Sequence, residues 1–217
     1  MIETTFVNAV DAPSLALLVP VVQRGLKHRS TDLKKKAATI VGNMCNLVAE
    51  SKDVSPYLND LVPILKSTIL DPSPEVRSQA SQALGSLVKS MDEAQYEELE
   101  RYLLFTMKSD SSMVERQGAA QGMGEMLGAS PVTRFEAVLD ELMLQCGSRL
   151  PHIREGYIAC MACLPVSMGD ALEPFIPKIL PTILSGLSDE MEAVREVCSL
   201  ARHPLNGGIV PLTLRIR

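Results

Sequence analysis

The sequence is poor in aromatic residues and in histidine. Phe, Trp and Tyr make up 4% of the 217 residues, Trp is absent, and there are 3 histidines. A core of this composition must be filled by small and aliphatic side chains. The histidines, at positions 28, 152 and 203, all stand beside predicted turns, so no convergent pair of nucleophile and base is indicated. We predict that the chain has no catalytic residues and is not an enzyme.

Signals for a membrane or for secretion are also missing. The first residues contain no basic region, and the apolar run Leu15–Val22 is far shorter than the roughly 20 residues that a membrane helix needs. The 5 cysteines are odd in number and lie on predicted helices, which is typical of reduced thiols. We therefore expect a cytoplasmic protein with no membrane partner.

Metal ligands at a recognised spacing are lacking as well. Cys160 and Cys163 form a CxxC motif, but only Cys146 and His152 stand nearby, and nothing pairs with the motif at zinc-ligand spacing. On a helix, two thiols three residues apart behave as small apolar side chains. We predict that the chain binds no metal.

A phosphate-binding loop is not indicated either. The glycine-rich run 118–124 follows a helical pattern instead of a strand, and no Lys-Ser/Thr pair follows it. Gly118 shares its repeat position with Ala37 and Ala80, so we attribute the glycines to close contact between helices. We predict no cofactor and no small-molecule substrate.

What the sequence contains instead is a helical hairpin that cannot stand alone. Leu61–Val88 holds two amphipathic segments separated by Asp71-Pro72-Ser73-Pro74. Each segment has an apolar stripe with a 3.6-residue period, and Pro74 suits the first position of a helix. Because one hairpin cannot bury both stripes, this unit requires neighbours of the same kind.

The neighbours are present as an internal repeat. The position of Val76 recurs along the chain at spacings of 43, 38, 39 and 41 residues. A basic residue follows this position in four copies, whereas the third copy has Glu115-Arg116 with the arginine shifted by one. The recurring residues are Leu33, Val76, Val114, Ile153 and Val194. Such a period predicts an all-α superhelix of about five helical hairpins, a solenoid of the HEAT or armadillo type.

The repeats resemble the HEAT pattern: a proline inside the first helix, an Asp eight residues later and an Arg six residues after that. Two copies match at all three positions, while His28, Ser109 and Ser148 replace the Asp in the others. We expect the Asp to cap the second helix, and the Arg to reach that Asp or its counterpart in the next repeat. The residues that define the repeat are Pro20, Pro63, Asp71, Arg77, Arg154, Pro181, Asp189 and Arg195.

The repeat positions divide the chain into an array with short flanks. We expect the end of a preceding unit or an N-terminal cap in residues 1–10, and an irregular tail in residues 203–217. Pro204 and Asn206-Gly207-Gly208 halt the last helix early. The array of residues 11–202 consists of copies at 11–50, 51–91, 92–130, 131–169 and 170–202. Because neither flank provides an obvious polar cap, we expect a fragment of a longer array.

A basic cluster near the turn of the first hairpin is the only candidate binding site. Its members are Arg24, Lys27, Arg29, Lys34, Lys35 and Lys36. The net charge of −5 argues against general affinity for nucleic acids but leaves a local basic edge open. Such an edge could meet ribosomal RNA or an acidic protein surface. The alternative is an ordinary solvated helix start, in which Lys34 simply occupies the arginine position of the repeat.

Four stretches in order resemble one family more closely than the general pattern does: Asp11–Leu47, Leu70–Met91, Val114–Leu127 and His152–Asp170. They are similar to the general-control nonderepressible protein one family, very large HEAT arrays that activate the kinase of initiation factor two. The likeness covers about Phe6 to Cys198. From Ser199 onward the sequence departs from the family pattern, which puts the completeness of the fifth copy in doubt.

The resemblance implies a function that periodicity alone does not. It implies a cytoplasmic scaffold of the amino-acid starvation response that binds ribosomes, recruits a protein kinase through another region and works with an ATP-binding-cassette partner. No kinase-binding residue can be carried over to this segment, and no DNA partner is implied. Two alternatives stay open: the HEAT region of an elongation-factor-three-like ribosomal ATPase, and a transport or phosphatase scaffold.

Overall fold

The computed structural model describes residues 10–48 and 50–200, and within them it contains helices and no strand, apart from one isolated bridge between Val10 and Val48. The α-helices are α1 Ala12–Leu26, α2 Thr31–Leu47, α3 Leu58–Thr68, α4 Pro74–Val88, α5 Glu93–Met107, α6 Met113–Gly128, α7 Val132–Cys146, α8 Pro151–Met168, α9 Ile176–Gly186 and α10 Glu192–Leu200. Short 3-10 turns cover Ser51–Asp53, Ser55–Tyr57 and Gly169–Phe175. The predicted tail of residues 203–217 and nearly all of segment 1–10 lie outside the described residues.

The helices form five consecutive hairpins, α1–α2 to α9–α10, which we call repeats one to five. Each predicted copy contains one of them. Second helices pack side by side along the array, α2 on α4, α4 on α6, α6 on α8 and α8 on α10, whereas neighbouring first helices touch little. The second helices therefore form the crowded inner layer and the first helices the open outer layer. The predicted all-α solenoid is confirmed.

Local sequence signals explain where the helices begin. The Asp92 side chain accepts a hydrogen bond from the Gln95 N–H, and the Gln95 side-chain oxygen accepts one from the Asp92 N–H, so α5 starts with a capping box. Pro74 and Pro151 are the first residues of α4 and α8, where the missing N–H of proline costs no hydrogen bond.

The expectation that Asp71 and Asp189 cap the second helices is wrong. Asp71 accepts from the Ser73 N–H at 2.9 Å, and Asp189 from the Met191 N–H at 2.9 Å, so each closes a turn ahead of its helix. The reason is the length of the connection. Two residues separate Asp71 from Pro74, the first residue of α4, which places its carboxylate too far back for the N–H groups of the first helical turn.

Helix starts also correct the alignment of the third copy. Val76 and Val194 are each the third residue of their second helix, and both are fully buried. In α6 the third residue is Glu115, and Val114 is the second. The arginine of copy three is therefore not shifted, because Arg116 is the fourth residue of its helix just as Arg77 is.

The same correction moves Gly118 to another column. It is the sixth residue of α6 and corresponds to Gly156 and Gln79, not to Ala37 and Ala80. Its attribution to close helix contact is confirmed, since a Cβ on Gly118 would lie 1.9 Å from the carbonyl oxygen of Ile69 in the preceding repeat. A Cβ on Gly156 would likewise lie 2.4 Å from the carbonyl oxygen of Met107.

Residues Pro151–Gly186 are apolar and long enough to meet the length and composition criteria for a membrane span. They do not form one straight helix, since α8 ends at Met168 and Gly169 follows with a φ of +55°. In the solenoid α8 packs between α6 and α10 and buries a continuous run from Glu155 to Met161. We interpret α8 as the core helix of the fourth repeat, and the remainder of the stretch contains α9 of repeat five.

Candidate functional site

In repeats two to five, an arginine near the start of the second helix closes the turn between the two helices. Lys34, Arg77, Arg116, Arg154 and Arg195 are each the fourth residue of a second helix. In the four arginines, Nη1 donates to carbonyl oxygens of the preceding turn, such as Asp71 O and Pro72 O for Arg77, both at 3.0 Å. These bonds satisfy backbone carbonyl groups of the turn that connects the two helices.

Three of these cations also reach an acidic side chain in the following repeat. Lys34 Nζ lies 2.5 Å from Asp71, and Arg154 donates to both carboxylate oxygens of Asp189 at 2.9 Å. Arg116 of repeat three pairs with Glu155 of repeat four, and only 8% and 3% of the two side chains are exposed. The expected contact with the Asp of the next repeat is found for Arg154, and for Lys34, which holds the arginine position of repeat one. Arg116 instead reaches Glu155, which lies on α8 and not at the Asp place.

The pairing changes the titration of the two aspartates. Burial alone would raise the pKa of Asp71, but hydrogen bonds from Lys34 and the Ser73 N–H outweigh it and lower the pKa below its ordinary value. The pKa of Asp189 is lowered chiefly by the hydrogen bonds from Arg154. Both carboxylates are therefore held in their charged form by the repeat interface.

Arg77 is the exception among the buried arginines. Its side chain is buried, its Nε has no hydrogen-bond partner, and burial lowers its pKa. In the next repeat, Ser109 holds the Asp place and Gln117 corresponds to Glu155, so that repeat offers this guanidinium no carboxylate at either place. Asp71 of its own repeat is close enough to interact by charge, but its side chain makes no hydrogen bond to Arg77. Among the described residues, the interface between repeats two and three thus lacks the ion pair that the other interfaces have at this position.

The structure divides the predicted basic edge into two sets of three. Lys34, Lys35 and Lys36 are paired with Asp71, Glu75 and Asp32, so their charges are largely neutralised. Arg24, Lys27 and Arg29 are exposed in the last turn of α1 and the turn that follows. Over residues 10–48 and 50–200, none of these latter three makes an ion pair with a described side chain, and we call them the basic patch.

Several cross-repeat contacts were not foreseen from the sequence. In the acidic run from Asp92 to Glu100, Glu93 pairs with Arg134 and Glu98 pairs with Lys66, and both partners come from neighbouring repeats. Nothing in the repeat pattern marks Glu155 as the partner of a buried arginine. The sequence does contain a signal for such pairs, because Arg116 and Glu155 have opposite charges and are separated by 39 residues, about one repeat length.

The cysteines are in environments that suppress thiol chemistry. Cys160 is fully buried in α8, and burial raises the pKa of Cys163 to about 12. In the described part of the chain, no group of three or more His, Cys, Asp and Glu side chains is arranged to hold a metal ion. The CxxC residues are therefore explained by packing.

Comparison with known proteins relates most of the chain to one group. A family model described as elongation factor 3/GNC1 HEAT repeat matches residues 1–98. The chain is 48% identical over 205 residues to protein ILITYHIA of Arabidopsis thaliana, covering 94% of this chain and 8% of that protein. It is 43% identical to the human stalled ribosome sensor GCN1 and 37% identical to the Saccharomyces cerevisiae eIF-2-alpha kinase activator GCN1, each over 90% of this chain and 7% of the relative.

Two further similarities are partial or distant. Yeast elongation factor 3B is 45% identical, but only over 87 residues, which is 39% of this chain and 8% of that protein. An archaeal HEAT-like repeat protein from Thermococcus onnurineus superposes with a TM-score of 0.42 at 18% identity, covering 92% of this chain and 78% of the other. The chain spans less than a tenth of the length of the relatives that it matches.

Proposed function

Because the chain is homologous to one segment of the GCN1 proteins, we propose that it acts as a non-catalytic HEAT-repeat scaffold within a ribosome-binding activator of an eIF-2-alpha kinase. The observation that carries the proposal is the identity of 37–46% with proteins named GCN1 over about nine tenths of the chain. The names that mention kinase activation and stalled ribosomes belong to relatives that are more than ten times longer than this chain. Kinase activation, an ABC-type partner and a cytoplasmic location are therefore parts of the proposal. A solenoid whose interfaces are closed by ion pairs suits a spacer that holds partners at fixed distances.

Within this scaffold, we assign the ribosome contact to the basic patch, Arg24, Lys27 and Arg29. These side chains are exposed and free of ion pairs with described residues, so they can neutralise phosphates of ribosomal RNA. Lys34, Lys35 and Lys36 contribute less, because each would first have to leave an acidic partner. Of the two partners considered for the basic edge, ribosomal RNA and an acidic protein surface, we propose RNA.

The test is ribosome co-sedimentation of the full-length protein from starved and fed cells. Changing Arg24, Lys27 and Arg29 together to Glu should reduce the pelleted fraction and the phosphorylation of the initiation factor in starved cells. A matched variant with Lys89, Arg101 and Arg149 changed to Glu carries the same net charge and should pellet like the wild type. Equal pelleting of both variants would remove the assignment, and absence of wild-type pelleting would remove the ribosome proposal itself.

The second candidate is the HEAT region of an elongation-factor-3-like ribosomal ATPase. The match of residues 1–98 to the shared HEAT family favours it, as does the 45% identity to elongation factor 3B. The family match ends at residue 98, within α5 of repeat three, and the likeness to elongation factor 3B covers 39% of the chain, whereas the likeness to human GCN1 covers 90% of it. Walker motifs encoded downstream in the complete gene would decide for the ATPase. A transport or phosphatase scaffold, the third alternative, would show no co-sedimentation with ribosomes.

A further inference from the structure

Two large apolar side chains project from the outer layer at corresponding places in adjacent repeats. Phe105 is 77% exposed and Leu144 is 73% exposed. Each is the thirteenth residue of its first helix, α5 in repeat three and α7 in repeat four. Exposed apolar residues that occur singly need no explanation, but two in register on neighbouring helices form a patch.

The fold itself does not require apolar residues at this place. Phe105 and Leu144 follow Arg101 and Asp140, which stand at the proline position of the repeat, by four residues. Four residues after Pro20, Pro63 and Pro181, the other repeats have Arg24, Ser67 and Ser185. All three polar residues are exposed. Packing of the solenoid therefore does not account for the phenylalanine and the leucine.

The surroundings of the pair are acidic. Helices α5 and α7 together contain seven acidic and two basic residues. Four of the acids, Glu93, Glu98, Asp140 and Glu141, make ion pairs with basic residues of neighbouring repeats. Glu97, Glu100 and Glu136 have no ion-pair partner among the described residues. Arg101 is the one basic residue of these two helices without an ion pair among the described residues. Three carboxylates against one guanidinium leave net negative charge on the two helices that expose Phe105 and Leu144.

We propose that Phe105, Leu144, Glu97 and Glu136 form a docking surface, the outer patch, for a cationic amphipathic helix of a partner protein. The charge excludes RNA as the occupant, because phosphates would be repelled. Two ion pairs, Lys108 with Glu141 and Arg134 with Glu93, hold the side chains of repeats three and four side by side along α5 and α7. Residues i and i+7 of a partner helix lie about 10 Å apart along its axis. One apolar stripe can thus contact both side chains while flanking Lys or Arg residues meet the free carboxylates.

The experiment uses a fluorescent synthetic peptide of leucine and lysine with a 3.6-residue apolar period, titrated with the 217-residue chain and followed by anisotropy. The wild type should bind this peptide and should not bind the matched leucine–glutamate peptide. Changing Phe105 and Leu144 to Ser should weaken binding by about tenfold or more, since two apolar anchors are lost. Changing Glu97 and Glu136 to Gln should weaken it and flatten its salt dependence.

A second pair of exposed apolar residues provides the control for simple stickiness. Leu17 and Val21 on α1 are 77% and 54% exposed, and their change to Ser should leave peptide affinity within about twofold of the wild type. Circular dichroism and thermal unfolding should show every variant folded, since the altered side chains are exposed. The proposal is overturned if the wild type fails to bind the cationic peptide, if the Phe105/Leu144 variant binds as the wild type does, or if the Leu17/Val21 variant loses as much affinity.

Discussion

Arg116 and Glu155 form a buried ion pair across the interface between repeats three and four. Arg116 Nε donates to Glu155 Oε2 at 3.1 Å and Nη2 donates to the same oxygen at 2.5 Å. The two residues lie on α6 and α8, whose contact is the most extensive in the inner layer. A charge in such a place is tolerated only because its partner is present.

Changing Glu155 to Ala should therefore cost about 3 kcal/mol or more in the free energy of unfolding, because Arg116 is left buried with one carbonyl partner. Urea denaturation followed by circular dichroism measures the loss. The comparison is Lys36→Ala, which removes an ion pair with Asp32 that is two-thirds exposed on both sides and should change stability by no more than about 0.5 kcal/mol. A similar small effect for both variants would contradict the role given to the buried pair.

The lone guanidinium of Arg77 predicts a stabilising substitution. Gln117 follows Arg116 as Glu155 follows Arg154, so Gln117→Glu places a carboxylate where the neighbouring interface has one. We expect a gain of about 1 kcal/mol, which corresponds to a rise in melting temperature of about 2–4 °C. Ser78→Glu, the same change one repeat earlier, should bring no gain because Lys34 already pairs with Asp71. A lower melting temperature for Gln117→Glu would refute the assignment.

Gly118 should tolerate no side chain. The Cβ of Gly118→Ala would approach the Ile69 carbonyl oxygen to 1.9 Å, so α6 must move away from repeat two at a cost of about 2 kcal/mol or more. Gly147→Ala is the matched change, since its Cβ would lie 3.6 Å from the Leu144 oxygen, an ordinary contact. Thermal unfolding distinguishes them. Similar melting temperatures for the two variants would mean that the helices at Gly118 can separate freely.

How far the sequence predicts the molecule depends on the range of the interaction. Pro74 acts within one helical turn, and α4 begins at this residue as predicted. Pro151 and Asp92 act over the same short range at the starts of α8 and α5. The periodic apolar stripes predict the stacking of hairpins, because stripes without a partner must be buried. The partner of Arg116 and the pairing of Lys35 with Glu75 depend on how repeats are rotated against each other, which a single copy of the pattern does not encode.

The pairing of Asp189 with Arg154 predicts a loss of stability in acid. Because the folded-state pKa of Asp189 is lowered, its contribution is complete above the ordinary carboxyl pKa, about 4, and disappears as pH falls through the lower folded value. Asp189→Asn should cost about 2 kcal/mol at pH 6 and much less near pH 2.5. Asp110→Asn, at an exposed position of another turn, should show no such difference. Urea unfolding at both pH values decides, and a cost for Asp189→Asn that is independent of pH would contradict the pairing.

The basic patch predicts a particular salt dependence of RNA binding. If Arg24, Lys27 and Arg29 each neutralise one phosphate, each contributes about −0.7 to the slope of log affinity against log salt for single-stranded RNA. Changing all three to Glu should therefore lower the magnitude of the slope by about 2, in addition to weakening binding. The measurement is fluorescence anisotropy of a labelled single-stranded RNA at several salt concentrations.

The matched variant separates a local patch from net charge. With Lys89, Arg101 and Arg149 changed to Glu, the chain becomes as acidic as the patch variant, but the altered residues lie on three different repeats. Diffuse repulsion alone would weaken RNA binding equally in the two variants and would leave their slopes alike. A smaller slope only in the patch variant means that phosphates bind at the turn of repeat one. Equal slopes would mean that the three exposed cations of that turn are an ordinary solvated surface.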